Sequence, residues 1–274
     1  MSYNLGVILL FTFAIMIAGV VAGVIAGLLG VGGGIVLVPI LFYLFIALGV
    51  DESVRMHLAV GTSLTTIVAT AASSTRAHYA RGSIDTTLLR SWGPWLFIGA
   101  VLGMIVFSSI KTAALSLIFG GVAALVAIYM LVSKEPETED PDKFPKGIFR
   151  WLLGLIVGGV SSIMGIGGGT LSVPILSIFK YPIRRAVGTA AAIGLLISIP
   201  GAVGAFLSGM NHPDLPPFSF GYVNLLAFII LVPITGFMAP YGAKMAHTIK
   251  PRHLKLAFVA FLLFNSANMI ISAL

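Results

Sequence analysis

The chain has 274 residues, 58% of them hydrophobic and only 9% charged, with a mean hydropathy of +1.07. A soluble domain carries about 25% charged residues, so a water-facing surface is excluded and the chain reads as an integral membrane protein. The absence of cysteine excludes disulfides, thiolate metal sites and thiol catalysis, and the net charge of +7 sits in short clusters between apolar runs, a pattern of membrane orientation rather than of a nucleic-acid face.

In chain order, Met1 to Asn4 carries no basic residue, and the apolar run from Leu5 to Leu29 is too long for a signal-peptide core. It reads as a retained first helix. About 20 apolar residues cross a bilayer core. The candidate segments are 5–29, 35–49, 54–75, 86–108, 112–132, 147–164, 170–180, 184–208, 221–246 and 252–272. The segments 35–49 and 170–180 are short. The second of them covers about half the hydrocarbon thickness at helical rise. Ser133 to Lys146, "SKEPETEDPDKFPK", is a solvated linker by its prolines and mixed charges.

The two sides of that linker match. Gly30, Gly32, Gly33, Gly34 and Pro39 pair with Gly165, Gly167, Gly168, Gly169 and Pro174. "AVGT" at Ala59–Thr62 recurs at Ala186–Thr189, and Gly82-Ser-Ile-Asp85 pairs with Gly221-Tyr-Val-Asn224. The segment after Lys111 pairs with the one after Lys250. This is an internal duplication with five segments per copy: 1–132 as the first transmembrane repeat, 133–146 as a cytoplasmic linker, and 147–274 as the second repeat.

An odd number of segments inverts the second copy relative to the first. With Met1 outside, the cytoplasmic side receives Arg76, Arg81, Arg90, Lys134, Lys143, Lys146, Arg150, Lys180, Arg184, Arg185, Lys244, Lys250, Arg252 and Lys255. The outside receives only Arg55 and Lys111. That asymmetry obeys the positive-inside rule. The expected architecture is an all-α polytopic membrane protein, two inverted five-segment repeats with Gly-rich interrupted helices, and both termini outside.

Inverted repeats with broken helices mark transporters, whose sites lie near the midplane where half-helix N-termini face anionic groups. Each glycine cluster precedes a short apolar helix. Consecutive N–H groups in such a turn make an anion-binding nest, and the helix start adds unpaired donors and its dipole. The candidate substrate-binding residues are therefore Gly32, Gly33, Gly34, Gly167, Gly168 and Gly169. Thr62, Ser63, Thr170 and Thr189 are the candidate hydroxyl partners, against the alternative that membrane serines and threonines bond their own helix backbone. Gly19, Gly23 and Gly27, at four-residue spacing, are assigned to helix packing. Pro200, Pro233 and Pro240 are expected to kink or break helices. Asp85 is expected to cap a helix, and Asn265, Ser266 and Asn268 to cap or line a vestibule. The five histidines, all in or beside loops, are expected to be solvated. No P-loop lysine, HExxH, GxSxG or carboxylate pair supports nucleotide binding or catalysis, so no enzyme, metal or cofactor is expected.

The paired G-x-G-G-G…V-P-I-L motifs, the A-V-G-T that follows each and the basic loops together resemble the sulfite exporter TauE/SafE family of membrane transporters, over essentially the whole chain. The resemblance implies carriage of sulfite, sulfonates, thiosulfate or related sulfur anions across a bacterial plasma membrane, with no nucleic-acid partner. Export is physically reasonable, because the membrane potential favours outward anion movement by about 2.3 kcal/mol per charge per 100 mV. The competing reading is a passive anion channel of the same architecture. Thr170 stands where the first copy has Ile35, and "VGTSLTT" thins to "VGTAAA", so an asymmetric site is expected.

Overall fold

The computed structural model describes residues 5–29, 33–133, 140, 143–210, 212–246 and 251–274. Among them are ten helices: α1 (Leu5–Leu29), α2 (Gly34–Ala47), α3 (Glu52–Ala80), α4 (Thr86–Phe107), α5 (Thr112–Val132), α6 (Ile148–Ile163), α7 (Gly169–Ile178), α8 (Ile183–Ser208), α9 (Leu225–Ala246) and α10 (Pro251–Ile271). The chain is an all-α, multi-pass membrane protein. Within the described residues, α3, α4, α5 and α8 are each long and apolar enough to cross a membrane. The two short segments are short helices: α2 has 14 residues and α7 has 10. At ~1.5 Å per residue, α7 reaches about half of a ~30 Å hydrocarbon core.

The helices pair through small residues, as membrane helices do when backbones must approach closely. α1 lies along α9, where Gly19 meets Leu231 and Ile234, and Gly23 meets Thr235 and Met238. α4 lies along α6, where a side chain at Gly99 would meet the Leu155 carbonyl and one at Gly158 the Leu96 carbonyl. α3 packs on α8, and α5 on α10, where Ser266 Oγ donates to the Gly120 carbonyl at 2.7 Å. The main apolar core is built around α2 and α3, from residues such as Leu37, Leu41, Phe45, Leu58 and Leu64. A smaller core joins α4, α6, α7 and α8 through Trp92, Val157, Leu176, Ile193 and Ile197.

Several local expectations change. A two-stranded hairpin, β1 (Ser219–Phe220) against β2 (Val223–Asn224), precedes α9, so the ninth apolar segment, 221–246, begins in a hairpin turn rather than as helix. Pro39, Pro94, Pro174 and Pro200 lie inside continuous helices, and α9 runs through Pro233 and Pro240 without a break. Asn265 and Asn268 cap no helix end: their side-chain amides donate back to Phe261 and Phe264 carbonyls one turn earlier. Phe144, within the linker stretch, is buried against Trp92 at 5.0 Å between ring centroids. An apolar ring gains more from that pocket than from water, so the linker's end is part of the core.

Candidate functional site

Each short helix starts on glycine. Gly33 caps α2 at φ +76°, a left-handed conformation that side chains rarely adopt. Gly165, at φ +71°, turns the chain out of α6, and Gly168 caps α7. Gly32 lies outside the described residues. The two loops touch: a side chain at Gly34 would stand 2.6 Å from the Gly165 carbonyl and 3.0 Å from Ile166 Cα. The second loop is wedged between α3 and α8. Gly165 faces Val60, Gly167 faces Ile67 and Gly194, and Gly168 faces Ile193 and Ile197.

The hydrogen bonds of that loop leave donors over. Gly165 N donates to Ser162 O and Ile166 N to Ser161 O. Gly169 N turns back to Gly167 O, and Ser172 N closes the first turn on Gly168 O. The N–H groups of Gly167, Gly168, Thr170 and Leu171 have no acceptor among the described residues. That is what a helix start leaves, since its first N–H groups have no partner within the helix. The Thr170 hydroxyl, on a residue 2% exposed, also has no partner.

Among the other hydroxyl candidates, Ser63 is brought to this loop: its Oγ donates to the Gly165 carbonyl at 2.8 Å. Thr62 and Thr189 serve different neighbours. Thr62 Oγ1 accepts from Asn224 N at 2.9 Å, and Thr189 Oγ1 accepts from Asp85 N at 2.9 Å. The residue before each threonine is a glycine pressed on the same partner segment. A side chain at Gly61 would overlap the Tyr222 carbonyl, and one at Gly188 the Ser83 carbonyl. The A-V-G-T motif of one half of the chain thus docks on the G-x-x-(D/N) motif of the other, twice.

Asp85 caps α4 as expected, accepting from Thr87 N at 3.0 Å and Leu88 N at 2.9 Å. It also accepts from the Tyr181 hydroxyl and stands 3.7 Å from Arg185. Burial alone would raise its pKa, but the Tyr181 hydroxyl, the Leu88 and Thr87 N–H groups and the Arg185 charge outweigh it and hold the carboxyl below its ordinary value. Burial and the facing carboxylate push the Tyr181 phenol up.

Other polar groups were not legible as candidates. Ser161 and Ser172, both 0% exposed, flank the second loop with unpaired hydroxyls. Their signal was present as a departure between the copies, because the matched first-copy positions are Ala26 and Leu37. His57 is not solvated: it is 3% exposed, edge-on to Phe107 and tilted against Tyr222 with centroids 4.9 and 4.8 Å away. It lies inside α3, about a turn and a half from the helix start at Glu52, within the apolar segment 54–75.

The family described as sulfite exporter TauE/SafE matches residues 15–269. A probable membrane transporter protein of Haemophilus influenzae is 31% identical, over 95% of this chain and 99% of its own. One from Methanocaldococcus jannaschii is 31% identical over 90% of this chain and 91% of its own. A third, from Bacillus subtilis, is 26% identical over 93% and 96%. No solved structure matches the chain.

Proposed function

The chain belongs to the sulfite exporter TauE/SafE family of membrane transporters, and we propose that it carries small sulfur-containing anions outward, at a site where two inverted repeats bring their glycine loops together. The observation that carries this reading is the abutment of Gly34 on Gly165 beside four backbone donors at the start of α7 that have no acceptor among the described residues. Neutral donors suit a carrier. A backbone hydrogen bond to a charged group is worth about 1.5–3 kcal/mol, so several offset part of an anion's dehydration without the grip of a full cation. Thr170 and Ser63 are the side chains nearest this task, with Gly32–Gly34 and Gly167–Gly169 as the backbone. Thr62 and Thr189, whose oxygens already accept from Asn224 and Asp85, brace the helices around it.

The repeats, residues 1–132 and 147–274, are proposed to be inverted, with the intervening stretch cytoplasmic and both termini outside. The reciprocal docking of A-V-G-T on G-x-x-(D/N) supports a two-fold relation, since each copy gives the other what it receives. The charge distribution supports this orientation, and the membrane is proposed to be a bacterial inner membrane.

The test is transport by the purified protein in liposomes loaded with sulfite, thiosulfate or taurine. Saturable efflux of at least one is expected. Efflux that rises linearly to channel rates would favour a pore, and no efflux of any of the three would overturn the substrate class. Single cysteines at Thr138 and Asn211 read the orientation: labelling from opposite sides is expected, and labelling from one side would remove the inversion.

A further inference from the structure

Among the described residues, the hydroxyls of Ser161 and Ser172 have no hydrogen-bond partner. Several buried or half-buried hydroxyls in the helices are paired to carbonyls, Thr65 to Gly61 at 2.8 Å, Thr66 to Thr62 at 2.8 Å, Ser208 to Gly204 at 2.6 Å and Thr235 to Leu231 at 2.7 Å, whereas Thr75 and Ser116 are unpaired singly, away from the second glycine loop. That back-bond is the default for a serine or threonine inside a membrane helix. Ser161 and Ser172 lack it although both are 0% exposed. A buried hydroxyl without a partner calls for a specific explanation, such as a ligand or a water that completes it.

The two lie on one face. Residues four apart on a helix share a face, and Ser161 is one turn beyond Val157, as Ser172 is one turn before Leu176. Val157 and Leu176 are packed in the same small core as Ile193 and Ile197 of α8. Gly168 rests on Ile193 and Ile197. Side chains on a helix tilt toward its N-terminus, so Ser172 leans from the first turns of α7 toward Gly168. Ser161 reaches the same region from the last turn of α6. Thr170, two residues from Ser172, lies about 200° round α7 from it. The first copy offers nothing comparable: Ile35 and Leu37 stand at the positions of Thr170 and Ser172, and both are packed in the main apolar core.

We propose that Ser161 and Ser172 form a hydroxyl pair that donates to the transported oxyanion from the α8 side of the second glycine loop, so that the site is one-sided. This rests on the reading of the glycine loops as an anion site. In it, α6 and α7 flank the second loop with the Ser161, Thr170 and Ser172 hydroxyls, and the matching side chains of α2, Ile35 and Leu37, are apolar. The pair selects for anions with several oxygen acceptors, such as sulfite or thiosulfate, over a halide of the same charge.

The test compares wild type with Ser161→Ala/Ser172→Ala and, as a control, Ser162→Ala, whose hydroxyl is already paired to Ala100 and Gly159 carbonyls. Transport of sulfite and thiosulfate into proteoliposomes and the melting temperature of unliganded protein in detergent are both measured. The double variant is expected to raise KM tenfold or more, with an unliganded melting temperature equal to or above that of wild type, because it removes two unpaired polar groups. Ser162→Ala is expected to lower the melting temperature and leave KM unchanged. A double variant with wild-type KM overturns the pair while leaving the proposed function standing. A wild type that moves neither anion overturns both.

Discussion

The two places where the halves of the chain dock on each other are built alike and charged differently. At the α3 seam, Gly61 presses on the Tyr222 carbonyl and Thr62 accepts from Asn224 N, while the Asn224 side chain accepts from Ala227 N at 3.0 Å to start α9. At the α8 seam, Gly188 presses on the Ser83 carbonyl and Thr189 accepts from Asp85 N, while the Asp85 carboxylate accepts from Thr87 N and Leu88 N to start α4. The backbone solution is the same. The difference is that Asn224 is neutral, whereas Asp85 carries a charge that recruits Tyr181 and Arg185. The two joints share their sterics and differ in their electrostatics, so sterics and charge can be tested separately.

The sterics should fail hardest, and equally. Gly61→Val and Gly188→Val each place a branched side chain on a backbone carbonyl that cannot rotate away. Overpacking costs about 1–3 kcal/mol, occasionally more. With backbone on the receiving side, both variants should fall at or above the top of that range and lose most folded yield, read by size-exclusion chromatography in detergent. Normal yield from either one would mean that its seam does not need the close approach.

Removing the caps should separate the seams. Asn224→Ala loses a helix cap, worth about 1 kcal/mol. Asp85→Ala loses a cap and also leaves the Tyr181 hydroxyl without its acceptor, a further penalty of about 1–3 kcal/mol. Asp85→Ala should therefore melt clearly lower than Asn224→Ala. Equal melting temperatures would show that Tyr181 and Arg185 add nothing to the joint. Below Asp85→Ala, and equal to each other, are Thr62→Val and Thr189→Val. Each keeps the shape and leaves one buried N–H unpaired, for a loss of about 1–3 kcal/mol. A loss at one site only would mean that the seams are not equivalent in their neutral part.

This comparison also shows what the sequence could reveal. The repeated A-V-G-T and G-x-x-(D/N) were visible as a pattern, and Asp85 as a cap. That each motif binds the other copy's partner was not, because Thr62 and Asn224 are 162 residues apart and Thr189 and Asp85 are 104 apart. Periodicity reports a residue's own helix, not its distant neighbour. Thr62 and Thr189 consequently read as substrate hydroxyls when the fold gives their oxygens to the seams. The ten helices were legible from hydropathy, yet α3 runs from Glu52 to Ala80, well past the apolar 54–75. Hydropathy marks the part of a helix that meets lipid, and Asp51, accepting from Ser53 N at 2.9 Å, starts the helix earlier in polar sequence. The glycine loops were legible because three glycines in a row disfavour a helix. Ser161 and Ser172 showed only as departures from Ala26 and Leu37, since a lone serine does not say whether its hydroxyl will find a carbonyl.

The smallest effect is the one that charge alone produces. The Asp85 pKa is lower in the folded protein than its ordinary value, so the unfolded chain binds the proton first as pH falls. Stability then decreases with decreasing pH. The contribution is fully present above the ordinary carboxylate range near ~4 and is lost as pH drops through the lowered folded value. Asn224 does not titrate, so the α3 seam contributes no such slope. Asp85→Asn should keep the caps on Thr87 N and Leu88 N, melt slightly below wild type at pH 7, and lose less of its stability than wild type between pH 5 and 3. Asn224→Asp should move the other way and install an acid-sensitive slope at the seam that lacks one. The measurement is melting temperature against pH for wild type and both exchanges. If Asp85→Asn and wild type lose stability in parallel as the pH falls, the carboxylate is not what distinguishes the two joints, and the divergence between them is one of sequence without an electrostatic consequence.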